Sequence, residues 1–141
     1  MADERPKNFE AWLTTVPKPI CSDPLWAYAA YQKALFLSDL AWFDCGRLMK
    51  DIRGRVVAGQ LYDAACSISA NIEEGYSKGF GQDYARYLSI ALGSTRETRG
   101  WYWRGRRLLS PEVLDHRFNL LGEIISLLMT TIPQQRRIKR K

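Results

Sequence analysis

The run LYDAACSISANIEEGYS, residues 61–77, decides the fold. Its centre, Ala64-Ala65-Cys66-Ser67-Ile68-Ser69-Ala70, consists of small side chains that let neighbouring backbones approach closely. It has no period-two alternation of the kind that marks a half-buried strand. Gly75 and Gly79 mark its end, and Gly54 and Gly59 flank its beginning. The pattern predicts a helix over Val56–Ser77 whose neighbours lie close on more than one side.

Working downstream, Tyr84, Leu88, Ala91, Thr95, Thr98, Tyr102 and Leu109 recur at steps of three and four or close to it, which predicts a helix over Gln82–Leu109. Ser110-Pro111-Glu112 restarts the chain, with Ser110 as cap and Pro111 at the first helical position. A broadly apolar helix follows over Pro111–Ile132, and Pro133 is expected to stop it. Upstream, Asp23 is a good cap and Pro24 suits the first turn of a helix over Pro24–Lys50. Trp26, Tyr31, Ala34, Leu37 and Trp42 give that helix apolar character on more than one face, so it needs more than one neighbour. The expectation is one all-α domain, an antiparallel up-down four-helix bundle over residues 24–133. Residues 1–23 form a Pro-rich arm, with a short helical turn around Phe9 to Leu13. Residues 134–141 form a basic tail.

The chain has 141 residues, the size of one domain, and carries a formal charge of +6 with five Trp and seven Tyr. A positive balance favours acidic partners. Cys21, Cys45 and Cys66 are odd in number and have neither metal-ligand spacing nor an even disulfide framework, so reduced thiols in a cytoplasmic protein are expected. The N-terminus lacks the apolar segment of a signal peptide, and Asp39, Asp44 and Glu123 break the longest apolar stretches, which argues against a membrane span.

Candidate chemistry is sparse. His116 is the single histidine and lies four residues after Glu112, so the Glu-x-x-His pairs of di-iron bundles are absent. An Arg-x-x-x-x-His ribonuclease motif fails because position 111 is Pro. Glu73 and Glu74 are adjacent and point to different sides of a helix. The glycines at 75, 79 and 81 lack a following Lys-Ser/Thr and a preceding strand, so they do not make a phosphate loop. No catalytic residue, metal or cofactor is expected. Asn71 stands inside a helix, where Asn is a poor former. It is either solvated near a frayed end or a polar lock reaching Ser94 or Glu97.

The positive signal is charge mixed with aromatics. Arg96, Arg99, Trp103 and Arg106 follow steps of three and four, with Arg104 and Arg107 widening the stripe. The tail adds Arg136, Arg137, Lys139, Arg140 and Lys141. Cations neutralise phosphates and an indole can stack on bases, so these residues are the candidate site for RNA or DNA. A solvated helix face with a solubilising tail would use the same residues.

The strings Gln60-Leu61, Ala64-Ala65-Cys66-Ser67-Ile68 and Asn71-Ile72-Glu73-Glu74-Gly75, then Tyr87-Leu88-Ser89-Ile90-Ala91-Leu92-Gly93-Ser94 with Glu97, resemble four-helix bundle proteins of the 23S rRNA intervening-sequence family. The resemblance marks Asn71, Glu74, Gly75, Ser94 and Glu97 as a structural polar motif. It implies a bundle that assembles into a homo-oligomeric ring, typically a pentamer, without enzymatic activity. It also implies kinship with accessory variability proteins of diversity-generating retroelements, which bind a reverse transcriptase and RNA. Tyr62-Asp63 stands where the family often has a basic pair, and the Pro-rich arm and Trp-rich third helix look unlike the short members. A protein-binding scaffold with no nucleic-acid role is the alternative.

Overall fold

A computed structural model describes residues 4–139; Arg140 and Lys141 of the expected basic tail lie outside the described residues. Two short helices, α1 (Phe9–Leu13) and α2 (Lys18–Cys21), precede four long ones: α3 (Ala29–Leu48), α4 (Ile52–Ser77), α5 (Gln82–Arg104) and α6 (Pro111–Arg137). Among the described residues there is no strand, and no helix is long and apolar enough to cross a membrane.

Contacts between successive long helices run in opposite directions along the two helices of each pair. Tyr31 meets Glu73, Trp42 meets Tyr62 and Cys45 meets Ala58, so α3 and α4 are antiparallel. Ser67 meets Ser94 across α4 and α5. Arg96 meets Met129, and Arg136 meets Ser89, across α5 and α6. Tyr28–Thr131 and Asp44–Arg117 close α6 back onto α3. One continuous core results, and every residue of the predicted α5 stripe lies in it: Tyr84, Leu88, Ala91, Thr95, Thr98, Tyr102 and Leu109 are all buried.

The helix ends differ from the sequence expectation for identifiable reasons. Asp23 does cap, accepting from the Leu25 N–H, but the turn it starts is a 3-10 helix over Pro24–Ala27. Tyr28 then adopts extended backbone and α3 begins at Ala29. The second long helix starts at Ile52 rather than Val56, because Asp51 caps it from the Arg53 N–H. Gly54 therefore marks close approach rather than a boundary: a Cβ there would collide with the Leu48 carbonyl. The third helix stops at Arg104, since the chain turns at Gly105 against Leu48 and Val57, and Arg106–Leu108 form a 3-10 turn. Ser110 caps α6 as predicted, accepting from Val113 N–H at 3.2 Å.

Pro133 does not stop the last helix, which runs on to Arg137. A proline removes one backbone donor, but Met129, whose carbonyl loses it, is exposed to solvent. Tertiary bonds hold the turns beyond: Gln135 Oε1 accepts from Gly81 N–H, and the Arg136 carbonyl accepts from Gln82 Nε2. The expected tail is thus helical through Arg137. The N-terminal arm is also packed. Trp12 is buried against Phe36 and Trp26, and its Nε1 donates to Asp39 Oδ2 at 2.6 Å.

Candidate nucleic-acid interface

Two polar clusters tie the long helices together, and the small-residue run of α4 carries one of them. Asn71 donates from Nδ2 to the Ser67 carbonyl at 2.8 Å and to Ser67 Oγ at 2.9 Å. Ser67 Oγ in turn lies 2.9 Å from Ser94 Oγ on α5. Asn71 is therefore a lock between helices, but it reaches Ser94 through Ser67 and does not reach Glu97. Glu97 accepts from Trp101 Nε1 on its own helix, and Glu74 pairs with Lys78 one turn on. Gly75 is buried at a close approach of α4 and α5: a Cβ would stand 2.6 Å from Tyr87 Cβ. The five residues of the expected motif thus divide into a hydrogen-bonded chain, a close helix contact and two exposed carboxylates.

The other cluster has no sequence signature and went unforeseen. Asp44 and Arg117 are 1 % and 2 % exposed and form a two-point ion pair, Nε to Oδ2 at 2.7 Å and Nη2 to Oδ1 at 3.1 Å. Tyr102 donates its hydroxyl to the same Oδ2 at 2.7 Å, and burial beside this carboxylate drives its phenol pKa well above 10. The group joins α3, α5 and α6. Arg117 Nη1 also lies 2.6 Å from His116 Nδ1. Burial, and then the Arg117 charge, lower the pKa of this exposed imidazole. Among the described residues no group of three His, Cys, Asp or Glu side chains is placed to hold a metal.

The predicted basic residues are real surface features, but they do not converge. Arg96, Arg99, Arg104 and Arg107 are exposed on α5 and the turn after it. Trp103 is 54 % exposed, and the Arg106 guanidinium lies over its ring at 3.9 Å. Arg104 stacks in the same way on Trp101 at 4.7 Å. Arg136, Arg137 and Lys139 gather instead beside Gln82 and Asp83, at the opposite end of α5. With a rise of 1.5 Å per residue, Ser89, which Arg136 touches, lies roughly 21 Å from Trp103 along the helix. Arg96 sits between them against Met129 Sδ at 3.9 Å.

The turn between α3 and α4 supplies what sequence reading missed. It lies at the same end as Arg104–Arg107, because Gly54 packs on Leu108 and Gly105 on Leu48. Arg47, Lys50, Arg53 and Arg55, all exposed, therefore join Arg104, Arg106 and Arg107 on one end of the molecule. The acidic groups at this end are Asp51, paired with Arg53, and Glu112 and Asp115 at the start of α6. The signal was legible only as cations clustered around a short inter-helix turn, which acquires meaning once the antiparallel packing is known.

The family model described as 23S rRNA-intervening sequence protein matches residues 28–130, the span that carries both polar clusters and the Arg/Trp end. The chain belongs to this family. The intervening-sequence match leaves out the N-terminal arm and Arg136, Arg137 and Lys139. A solved structure of a protein of unknown function from the S23 ribosomal protein family of Bacteroides thetaiotaomicron is similar over 74 % of this chain and 98 % of its own, with 25 % identity and a TM-score of 0.69. No curated protein matches the chain.

Proposed function

We propose that this protein is a non-enzymatic RNA- or DNA-binding factor. In this reading its antiparallel four-helix bundle assembles into a homo-oligomeric ring and presents the basic Arg/Trp end to phosphates. The observation that carries the reading is the gathering of Arg47, Lys50, Arg53, Arg55, Arg104, Arg106 and Arg107 at one end of the molecule, the end that also exposes Trp103. Cations of this density neutralise phosphates and release counterions, and Trp103, one face of which Arg106 covers, offers the rest of its exposed indole to a base. The family description, which names rRNA, favours RNA. Service as accessory factor to a reverse transcriptase of a diversity-generating retroelement is the partnership this basic end would suit.

Assembly has its own support. Trp42, Met49, Ile52 and Val56 are 50–75 % exposed on the outer side of α3 and α4, and apolar side chains grouped in this way normally meet a partner. The same face favours the second reading, a scaffold that binds proteins only. Light scattering at micromolar concentration should show several chains, and a monomer would remove the ring.

The decisive experiment is binding to structured RNA and to duplex DNA at two salt concentrations. Binding should weaken steeply with salt and depend little on sequence. Arg99→Glu with Arg106→Glu should weaken it strongly. Neutralising Arg136, Arg137 and Lys139 to Gln should matter less, since they lie at the far end. Trp103→Ala should cost roughly 1–3 kcal/mol on single strands if a base stacks there. No binding to either polymer at low salt would leave the scaffold reading in its place.

A further inference from the structure

At the basic end, α4 and the α5–α6 connection enclose a cleft of about 130 Å³. Its floor is apolar, formed by Val57 and Leu108, and its rim carries Arg53, Arg104 and Arg107. This is smaller than the roughly 300–1,000 Å³ of sites that enclose a drug-sized ligand, so it has room for a tetrahedral oxyanion and a few carbons, not for a whole nucleotide.

We propose that this cleft takes a terminal phosphate monoester, either the 5′-phosphate of a nucleic-acid strand or that of a free mononucleotide. The strand-end form of the proposal rests on the nucleic-acid reading above. Three observations set the ligand class. First, three arginines from three elements line the cleft, Arg53 on α4, Arg104 at the end of α5 and Arg107 in the 3-10 turn after it, and a guanidinium fork matches phosphate oxygens in two-point geometry. Second, the local charge is close to +2. Arg53 is paired with Asp51 through bonds of 2.8 and 3.1 Å, and Arg53 holds that carboxyl well below the usual range, so it stays ionised. Arg107 has no hydrogen-bond or ion-pair partner among the described residues, and the Arg104 guanidinium lies over the Trp101 ring and against Gly100 with no acidic partner among them. A phosphate monoester carries about −1.5 to −2 near pH 7, whereas a diester carries a single charge. Third, about 130 Å³ holds one phosphate and a few atoms beside it, so the cleft suits a chain end better than the middle of a strand, which would have to lead successive nucleotides through it. The N-terminus of α4 and the C-terminus of α5 both lie here, so their opposed dipoles largely offset each other and the guanidinium groups set the sign.

The test uses the full chain and a short single strand labelled at its 3′ end, with either a 5′-phosphate or a 5′-hydroxyl. At pH 7.5 and low salt, anisotropy should show the phosphorylated strand binding about five- to tenfold tighter, the net worth of about one hydrogen bond. That preference should shrink at pH 5, where the monoester loses its second charge. Arg107→Ala should abolish the preference, so that the phosphorylated and hydroxyl strands bind alike, on top of a general weakening that lowers both affinities together. Adenosine monophosphate, titrated against intrinsic tryptophan fluorescence, tests the mononucleotide source without any polymer. A saturable response lost in Arg107→Ala supports the cleft even if neither strand binds, an outcome that would sink only the strand-binding function. Equal affinity for both strand ends together with no response to the mononucleotide overturns the proposal, as does a preference that survives in both Arg104→Ala and Arg107→Ala.

Discussion

Two polar clusters tie these helices together on opposite terms. Asp44, Tyr102 and Arg117 are charged, sealed from water and spread over three helices. Ser67, Asn71 and Ser94 are neutral, half-buried and confined to two. An ion pair in a core is expensive to desolvate, and replacing both partners by apolar groups is often neutral or stabilising, while removing one partner leaves an uncompensated charge. A hydroxyl and amide chain near the surface carries neither the cost nor the vulnerability. The first cluster therefore dictates which helices can be neighbours, and the second trims the spacing between two that already are.

The largest effect should follow from breaking the first cluster on one side. Arg117→Met leaves Asp44 in the core and should cost about 3–5 kcal/mol in denaturant unfolding, whereas Asp44→Leu with Arg117→Met should regain most of it. A double variant as unstable as the single one would mean that the pair contributes net stability as well as specificity.

Next comes the close contact beside the second cluster. Gly75→Ala pushes a methyl group against Tyr87 and should cost about 1–3 kcal/mol, and Ala65→Leu, at a fully buried position, should cost a similar amount. Ala70 is exposed, so Ala70→Leu should leave the melting temperature nearly unchanged. Equal losses at 65 and 70 would show that the small-residue run packs on both sides.

Much of this was legible in the sequence, and the failures have physical reasons. The α5 stripe could be read because local periodicity and burial coincide there, residue by residue. The Ser110–Pro111 start could be read because a cap acts within three residues. Asp44 and Arg117 could not, because each looks like an ordinary solvated helix position and their partnership spans 73 residues. The basic stripe and the basic tail looked convergent because nothing local says that α5 keeps them apart. Pro133 misled because the bonds that carry the helix past it come from Gly81 and Gln82 on another element.

Smaller effects sharpen the contrast further. Ser94→Ala leaves Ser67 with Asn71 alone and should cost about 1 kcal/mol, the usual net worth of one hydrogen bond. A loss as large as that of Arg117→Met would place the second cluster on the same footing as the first. The smallest effect concerns His116. Its folded-state pKa is depressed, so between pH 7 and 5 the unfolded chain takes up the proton first and stability falls as pH falls. Wild type and His116→Gln should therefore diverge modestly in melting temperature as the pH is lowered, with the variant less sensitive. Parallel curves would mean that the imidazole does not feel Arg117.

The arm has a consequence of a different kind. Phe9, Trp12 and Leu25 lie mainly against α3, and the prolines at 17, 19 and 24 punctuate the backbone that links them. Such a segment can open while the long helices stay shut, so its amides should exchange with deuterium by local opening, long before those in the middle of α4, which wait for global unfolding. When it lifts, Phe36 and its neighbours on α3 become wettable without loss of the fold. A protease that cuts between α1 and α3 would reveal this as a discrete, still-folded fragment rather than as progressive digestion.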